Sequence, residues 1–340
     1  MNRFYEISPA QQCERLQQLA QKALCHWQLD ARSIELIKYR ENAVFEVVTT
    51  AGVRYALRMH RPGYHSDTAL RSELQWMEAL NNVGVLVPEV IPTAAGELLI
   101  TEALDSIPEP RQIDLFAWIE GEQLGSVEHG LGDNAAQISA LYFAIGETAG
   151  RLHNQSGDWQ LPEGFERHAW DCDGLVGEQP FWGRFWELEL LTVEQKALII
   201  EVREKIRLRL QQLDKSSQNY SLIHADFVPE NLMADGAGVR LLDFDDAGFG
   251  WHMFELATAL YFIIEEECYD IAKQALFDGY RQQRNLSEAD QGLLELFLTA
   301  RGFTYLGWIR SRQETKTAQE LAPELIRMAC QQAKRFLSQS

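Results

Sequence analysis

The sequence predicts an α+β protein in which a small antiparallel-sheet lobe precedes a larger, mainly helical lobe. Three observations carry this. Between residues 34 and 59 three runs, Ile34–Tyr39, Ala43–Thr49 and Val53–Met59, are short and β-rich, and Thr50-Ala51-Gly52 supplies a hairpin turn. Beyond residue 121 the apolar residues recur mostly at helical spacing, as in Ile138–His153, Val193–Leu213 and Met253–Ile264. Between these helical regions lie two apolar runs, Ser221–Ile223 and Val239–Leu242, that each lead into acids and are separated by Ala234-Asp235-Gly236-Ala237-Gly238, a composition that turns the chain back on itself.

The chain has 340 residues, 46% of them hydrophobic, which is enough for a large buried core. No internal repeat or low-complexity linker interrupts it, so the expected division is residues 1–120 and 121–340 in closely joined lobes. The 31 basic and 50 acidic residues give a formal charge of -19, which excludes nucleic acid and anionic membranes as general partners. No window approaches the roughly 18 apolar residues of a membrane span, and no basic leader with an apolar run opens the chain. Cys13, Cys25, Cys172, Cys268 and Cys330 are scattered, without metal-like spacing, and read as reduced residues of a cytoplasmic protein. Monomer and homodimer are both compatible with these features.

The chemistry concentrates between residues 221 and 246. A loop followed by a tight hairpin would bring Asp226, Asn231 and Asp243 to one edge. An aspartate that accepts a hydroxyl proton, an asparagine that offers a metal its side-chain oxygen, and a second aspartate on the same metal are the minimum set for moving a phosphoryl group from a Mg2+-bound nucleotide. Taken singly, each acid could equally be a turn or cap residue.

The pattern His224-x-Asp226-x-x-x-x-Asn231 followed by Leu242-Asp243-Phe244-Asp245-Asp246 resembles the signature of the aminoglycoside phosphotransferase and type II homoserine kinase family. The resemblance covers about residues 34–260 and is strongest over 221–250. It implies a two-lobed protein-kinase-like fold and transfer of the γ-phosphate of ATP to a hydroxyl of a small molecule, with Asp226 as base, Asn231 and Asp243 on Mg2+, and His224, Asp245 and Asp246 in support. Ala225 stands where protein kinases carry Arg, and Asp245 where they carry Gly. The chain also runs from Gly250 straight into an apolar stretch without a Pro-Glu-anchored activation segment. These departures favour the small-molecule branch.

The same resemblance assigns roles in the first lobe. The turn Tyr39-Arg40-Glu41-Asn42 would lie over the nucleotide phosphates, Asn42 included, although it lacks the Gly-x-Gly-x-x-Gly pattern. Arg58 occupies the place of the usual phosphate-contacting Lys; its planar fork can hold phosphate oxygens, and as an isolated residue it reads as a solvent-facing strand arginine. A helix from Asp67 to Leu80 carries the stripe Leu70, Leu74, Met77 and Leu80, with Glu73 beside it to pair with Arg58. The strand Asp114–Glu120 leads into a hinge, and Leu115–Gly121, with Trp118 and Glu120, would follow the adenine; its plain alternative is a core strand.

Further elements follow local signals. Ser8-Pro9 opens a helix over residues 9–27, and Ser287 with Asp290 opens one over Glu288–Ile309. Val85–Ile91 reads as a connector, Glu97–Thr101 as a strand, and Tyr269–Tyr280 and Thr317–Phe336 as helices. Residues 154–190 are aromatic and irregular, suited to an acceptor pocket or, for Trp182 and Trp186, to a buried helical face. His153, at the end of Arg151-Leu152-His153, is expected to be structural. Glu265, Glu266, Glu267 and Asp270 form an acidic patch that can attract a cationic acceptor or serve as a solvated face. Two other readings share parts of the pattern: a bacterial stress-response-type Ser/Thr protein kinase, and a nucleotide-binding or scaffold protein without turnover.

Overall fold

The computed structural model describes residues 4–39, 42–124, 134–235 and 238–339. The expected phosphate turn at Arg40-Glu41 and the hairpin tip at Gly236-Ala237 lie outside the described residues. Two compact units form: Met1–Gly121 with Leu161–Glu166, and Glu122–Gln160 with Arg167–Ser340.

In the first unit, helix α1 (Pro9–Ala23) starts at a reciprocal cap, with the Gln11 amide donating to Ser8 Oγ and the Ser8 amide to Gln11 Oε1. The α-helix stops four residues before Trp27. Leu24–Trp27 tightens to a 3-10 turn, and Gln28 takes a left-handed conformation that ends it. Five strands follow in the order β1-β2-β3-β5-β4, all antiparallel: β1 (Ala31–Tyr39), β2 (Ala43–Thr49), β3 (Arg54–Met59), β4 (Ile100–Glu102) and β5 (Arg111–Ala117). Phe45, Val47, Leu57, Ile113 and Leu115 point to one core with Leu16, Leu19 and Ala20 of α1. Helix α2 (Asp67–Asn82), capped by Ser66, buries Leu70, Leu74, Met77 and Leu80, and Glu73 with them. Strand β5 begins and ends three residues earlier than its sequence pattern suggests, because Arg111 already pairs with Glu102 on β4. Trp118 and Glu120 therefore follow the strand.

The second unit opens with β6 (Glu122–Gln123) and α3 (Ala135–Asp158). After α3 ends at Asp158, the aromatic stretch holds β7 (Ala169–Trp170), α4 (Cys172–Val176) and a 3-10 turn at Phe185–Glu187, so Trp182 and Trp186 share no helical face although both are buried. After α5 (Val193–Gln211) come β8 (Tyr220–Ile223), β9 (Leu232–Asp235), β10 (Gly238–Leu241) and β11 (Gly248–Trp251). They make two small sheets, β10-β9-β6 and β7-β11-β8. Helices α6 (His252–Leu260), α7 (Tyr269–Arg281), α8 (Glu288–Gln291), α9 (Leu294–Arg310) and α10 (Lys316–Gln339) complete the unit. One helix expected over Glu288–Ile309 is two: the Ser287–Asp290 capping box forms, but the chain breaks at Gly292-Leu293 before α9 resumes. Among the described residues no helix is long and apolar enough to cross a membrane, and the five cysteines are free.

Helices α3 and α7 pack at backbone contact. A Cβ on Gly279 would lie 1.9 Å from the Phe143 carbonyl oxygen, and one on Gly146 would lie 2.0 Å from that of Leu276. No rotamer relieves a clash with main chain. Gly279→Ala should therefore cost about 1–3 kcal/mol through forced separation of the helices, read as a lowered denaturant midpoint. An unchanged midpoint would contradict this packing.

Candidate active site

The chain leaves β8 at Ile223 and enters a loop whose backbone is held from below by one carboxylate. Glu255, fully buried on α6, accepts the His224 amide at Oε1 (2.8 Å) and the Ala225 amide at Oε2 (2.6 Å). Ala225 sits at φ 63°, a left-handed conformation that costs an alanine about 1–2 kcal/mol. The two amide bonds to Glu255 offset that strain and turn the next residue, Asp226, outward. His224 cross-braces the loop: its Nδ1 accepts the Asp226 amide (3.2 Å), and its Nε2 donates to the Leu242 carbonyl (2.8 Å). Those two bonds identify it as neutral, with the proton on Nε2. Sequence-predicted support from His224 thus takes a definite form, a tie between the aspartate loop and the strand that ends at Asp243.

Asn231 closes a short 3-10 turn, Pro229–Asn231, and its carbonyl accepts the Leu242 amide at 2.7 Å. This fixes the base of the β9–β10 hairpin and brings Asp243 beside Asn231. The Asn231 Nδ2 donates to Asp226 Oδ2 (2.7 Å) and to the Asp226 carbonyl (3.0 Å), so its nitrogen and not its Oδ1 is committed to Asp226. Asp243 is exposed and, at φ 60°, also left-handed. Asp226, Asn231 and Asp243 therefore gather as the spacing suggests.

Asp226 keeps a quarter of its side chain exposed, and its Oδ1 accepts from Arg301 Nη2 at 3.0 Å. Burial of the surrounding loop pushes its carboxyl above the usual carboxylate range; Arg301 opposes this, while the negative charges of Asp246 and Asp243 add to it. A carboxylate raised in this way is a better proton acceptor near neutral pH. Of the two acids after Asp243, Asp246 is the one that shares this field, and it accepts from Trp182 Nε1 (3.3 Å). Asp245 is buried. Its carbonyl, with those of Phe244 and Ala247, is gripped by Arg167, and the Asp246 carbonyl by Trp170 Nε1 and His168 Nε2.

In the first unit, Arg58 and Glu73 meet as expected, Nη2 to Oε1 at 2.8 Å. The fork of Arg58 is also bidentate to Asp114 (Nε–Oδ1 3.1 Å, Nη2–Oδ2 2.7 Å), and His60 Nε2 reaches Asp114 Oδ2 at 2.9 Å. All four residues are buried. Burial alone would raise the Asp114 carboxyl, but Arg58 and His60 hold it down at about 2. Asn42 Oδ1 accepts the Arg61 amide (3.1 Å). Trp118 and Glu120 both meet Arg54, whose guanidinium lies 4.0 Å from the Trp118 ring centroid and pairs with Glu120. Two of the four acids of the expected patch take surface partners: Glu265 pairs with Arg327, and Asp270 with Lys273. His153 is buried, stacked on His252 at 4.0 Å and bonded to the Tyr280 hydroxyl, a structural setting.

Sequence reading passed over Glu255, Arg301, Arg167, Asp114 and His60. Two of them carried a signal: Glu255 is a single acid in the apolar run from Trp251 to Ile264, and Arg301 is the lone charge between Glu295 and Arg310.

A sheet unit with a buried Arg–Glu pair and a helical unit with an Asp–Asn–Asp edge define a kinase-like phosphotransferase. Residues 34–290 match the phosphotransferase enzyme family, known as APH. The chain belongs to that family and is an ATP-dependent kinase that phosphorylates an alcohol group of a small molecule. Amicoumacin kinase of Bacillus subtilis (strain 168) is 20% identical over 320 residues, 91% of this chain and 89% of that protein. The structure of the microcompartment-associated aminopropanol kinase superposes with a TM-score of 0.81 at 29% identity, covering 95% of this chain and 98% of that one. Amicoumacin kinase hAmiN in complex with AMP-PNP, Ca2+ and Ami gives 0.75 at 20% identity, covering 94% and 93%. The protein-kinase-like fold is thus shared, and among these kinases a nucleotide analogue and a divalent ion occur together.

The Asp114 cluster predicts an acid limb of stability. A carboxyl held near 2 in the folded chain, against 3.8 ordinarily, stabilises the fold above pH 3.8, and that contribution is lost as pH falls toward 2. The difference corresponds to about 2 kcal/mol. Denaturant midpoints of wild type and Asp114→Asn from pH 5 to 2.5 should show a shallower acid decline in the variant; parallel curves would contradict it.

Proposed function

We propose that this chain transfers the γ-phosphate of Mg2+–ATP to the hydroxyl of a small amino alcohol, with Asp226 as the general base. The observation that carries the reading is the Asp226 carboxylate itself. It is partly exposed, raised above the usual carboxylate range, and accepts from Asn231 Nδ2, with the exposed Asp243 nearby; the Asp243 carboxylate and the Asn231 amide oxygen are ligand types that suit a hard cation. Among the described residues no group of three or more His, Cys, Asp or Glu side chains could hold a metal unaided. Mg2+ takes one or two protein oxygens and completes its octahedron with phosphates and water. Asn231 Oδ1 and Asp243 would hold it. When bound, the ion offsets charge on the phosphate oxygens.

The remaining steps belong to side chains. Asp226 orients the acceptor hydroxyl and takes its proton as the oxygen attacks the γ-phosphorus, with ADP leaving in line. In the first unit Arg58, fixed by Glu73 and Asp114, is the proposed contact for the nonreacting phosphate oxygens, with Asn42 near the phosphate turn and Trp118 and Glu120 on the adenine side. An amine-bearing acceptor is supported by the likeness to aminopropanol kinase and by the net charge of -19. The cytoplasm is the compartment where ATP would be supplied.

Labelled ATP offered with aminopropanol, homoserine, an aminoglycoside and a denatured polypeptide tests the acceptor class. Label should pass to an amine-bearing alcohol; label found on polypeptide alone would overturn the reading. On the acceptor so found, Asp226→Asn should lower turnover by about 10²–10⁴-fold with little change in ATP affinity, and wild-type turnover would remove Asp226 from its role. Arg58→Met should weaken ATP and spare adenosine, which has no phosphates for the fork to hold. An unchanged ATP-to-adenosine affinity ratio, with turnover also unchanged, would exclude the phosphate contact.

A further inference from the structure

Arg301 stands in the middle of α9, fully buried, and its donors are distributed unlike those of Arg167 and Arg284. Arg167 spends its donors on three main-chain carbonyls, and Arg284 reaches the carbonyls of His153, Ser217 and Gln218 as well as Asn154 Oδ1. Those arginines tie backbone to backbone. Among the described residues the Arg301 guanidinium donates to no carbonyl. Its Nη2 donates to Asp226 Oδ1 (3.0 Å) and to the Tyr305 hydroxyl (2.9 Å), while Nε and Nη1 have no hydrogen-bond partner among the described residues. Aromatic faces surround the guanidinium: Tyr305 at 4.3 Å, Trp182 at 5.0 Å and Phe254 at 5.5 Å. These rings ease a buried cation without satisfying its donors. A buried charge that gives the fold so little in return points to use at the one acid it meets.

We propose that Arg301 is a positioning residue for Asp226, holding the carboxylate in the rotation that presents it to the acceptor hydroxyl. This rests on the reading of Asp226 as the base. Each carboxylate oxygen has two lone-pair positions. Arg301 takes one on Oδ1 and Asn231 takes one on Oδ2, so the plane of the carboxylate is pinned at both ends and the hydroxyl meets a lone pair of fixed direction. Asn231 pins from the loop itself. Arg301 pins from a separate helix, with Trp182 and Tyr305 setting the guanidinium plane. Without it, Asp226 is free to swing about the single bond to Asn231. The misaligned base slows proton transfer and leaves nucleotide binding alone.

The test compares Arg301→Met, which keeps an apolar stem and removes every donor, with Arg301→Lys, which keeps one charged donor point. With the amino alcohol that accepts label, Arg301→Met should lower kcat by about 10–10²-fold while KM for ATP stays within about twofold, and Arg301→Lys should recover part of the loss. In an Asp226→Asn background Arg301→Met should cost no further turnover, because it acts through that carboxylate. A crystal structure of Arg301→Met should show Asp226 rotated from its wild-type position, a readout independent of any acceptor. If Arg301→Met does not fold, Arg301→Lys carries the same comparisons. Full kcat in the folded variants with Asp226 unmoved overturns the proposal. Full turnover in Asp226→Asn alone overturns the base assignment instead.

Discussion

The loop that carries Asp226 depends on one buried carboxylate. Glu255 offers two oxygens to two consecutive amides, those of His224 and Ala225, and so stabilises a left-handed alanine that the chain would otherwise avoid. Everything at the edge follows from it. His224 is then placed to bind the Leu242 carbonyl, the β9–β10 hairpin closes on Asn231, and Asp243 emerges beside it, again left-handed.

Charge is balanced separately in each unit. In the second, the charges of Asp243 and Asp246 act on Asp226 together with the opposing guanidinium of Arg301, which pairs with it. In the first, Asp114 and Glu73 surround Arg58, with His60 as a further partner of Asp114. This arrangement suits an arginine: a planar fork is held edge-on by Asp114 while Nη2 also reaches Glu73, where a point-like ammonium would favour one partner.

Much of this was legible in the residues themselves. The strands from Ala43 to Thr49 and Arg54 to Met59 follow alternation, the Ser8 and Ser287 caps follow composition, and the gathering of Asp226, Asn231 and Asp243 follows from a hairpin at fixed spacing. The supporting residues were less visible because their partners are distant in sequence: Glu255 lies some thirty residues beyond the amides it holds, and Arg301 is seventy-five residues from Asp226. Spacing arguments reach about one turn of helix or one hairpin. Beyond that, the remaining signal is a charge out of place in an apolar run, which says that a partner exists and not which one. The 154–190 stretch was opaque for a different reason, since it carries no period and is tied down by Arg167, His168 and Trp170, whose guanidinium, imidazole and indole donate to carbonyls at 244–247.

Glu255 holds the Asp226 loop in shape through the His224 and Ala225 amides. Amide hydrogen exchange at His224 and Ala225, measured in wild type and in Glu255→Gln alongside turnover, tests it most directly. Glutamine replaces one accepting oxygen with an NH2 that faces a backbone N–H, at a cost of about 1–3 kcal/mol. Strong protection of both amides in wild type, faster exchange in the variant and a matching fall in kcat are the predicted result. Equal protection and equal turnover in the two proteins would contradict it.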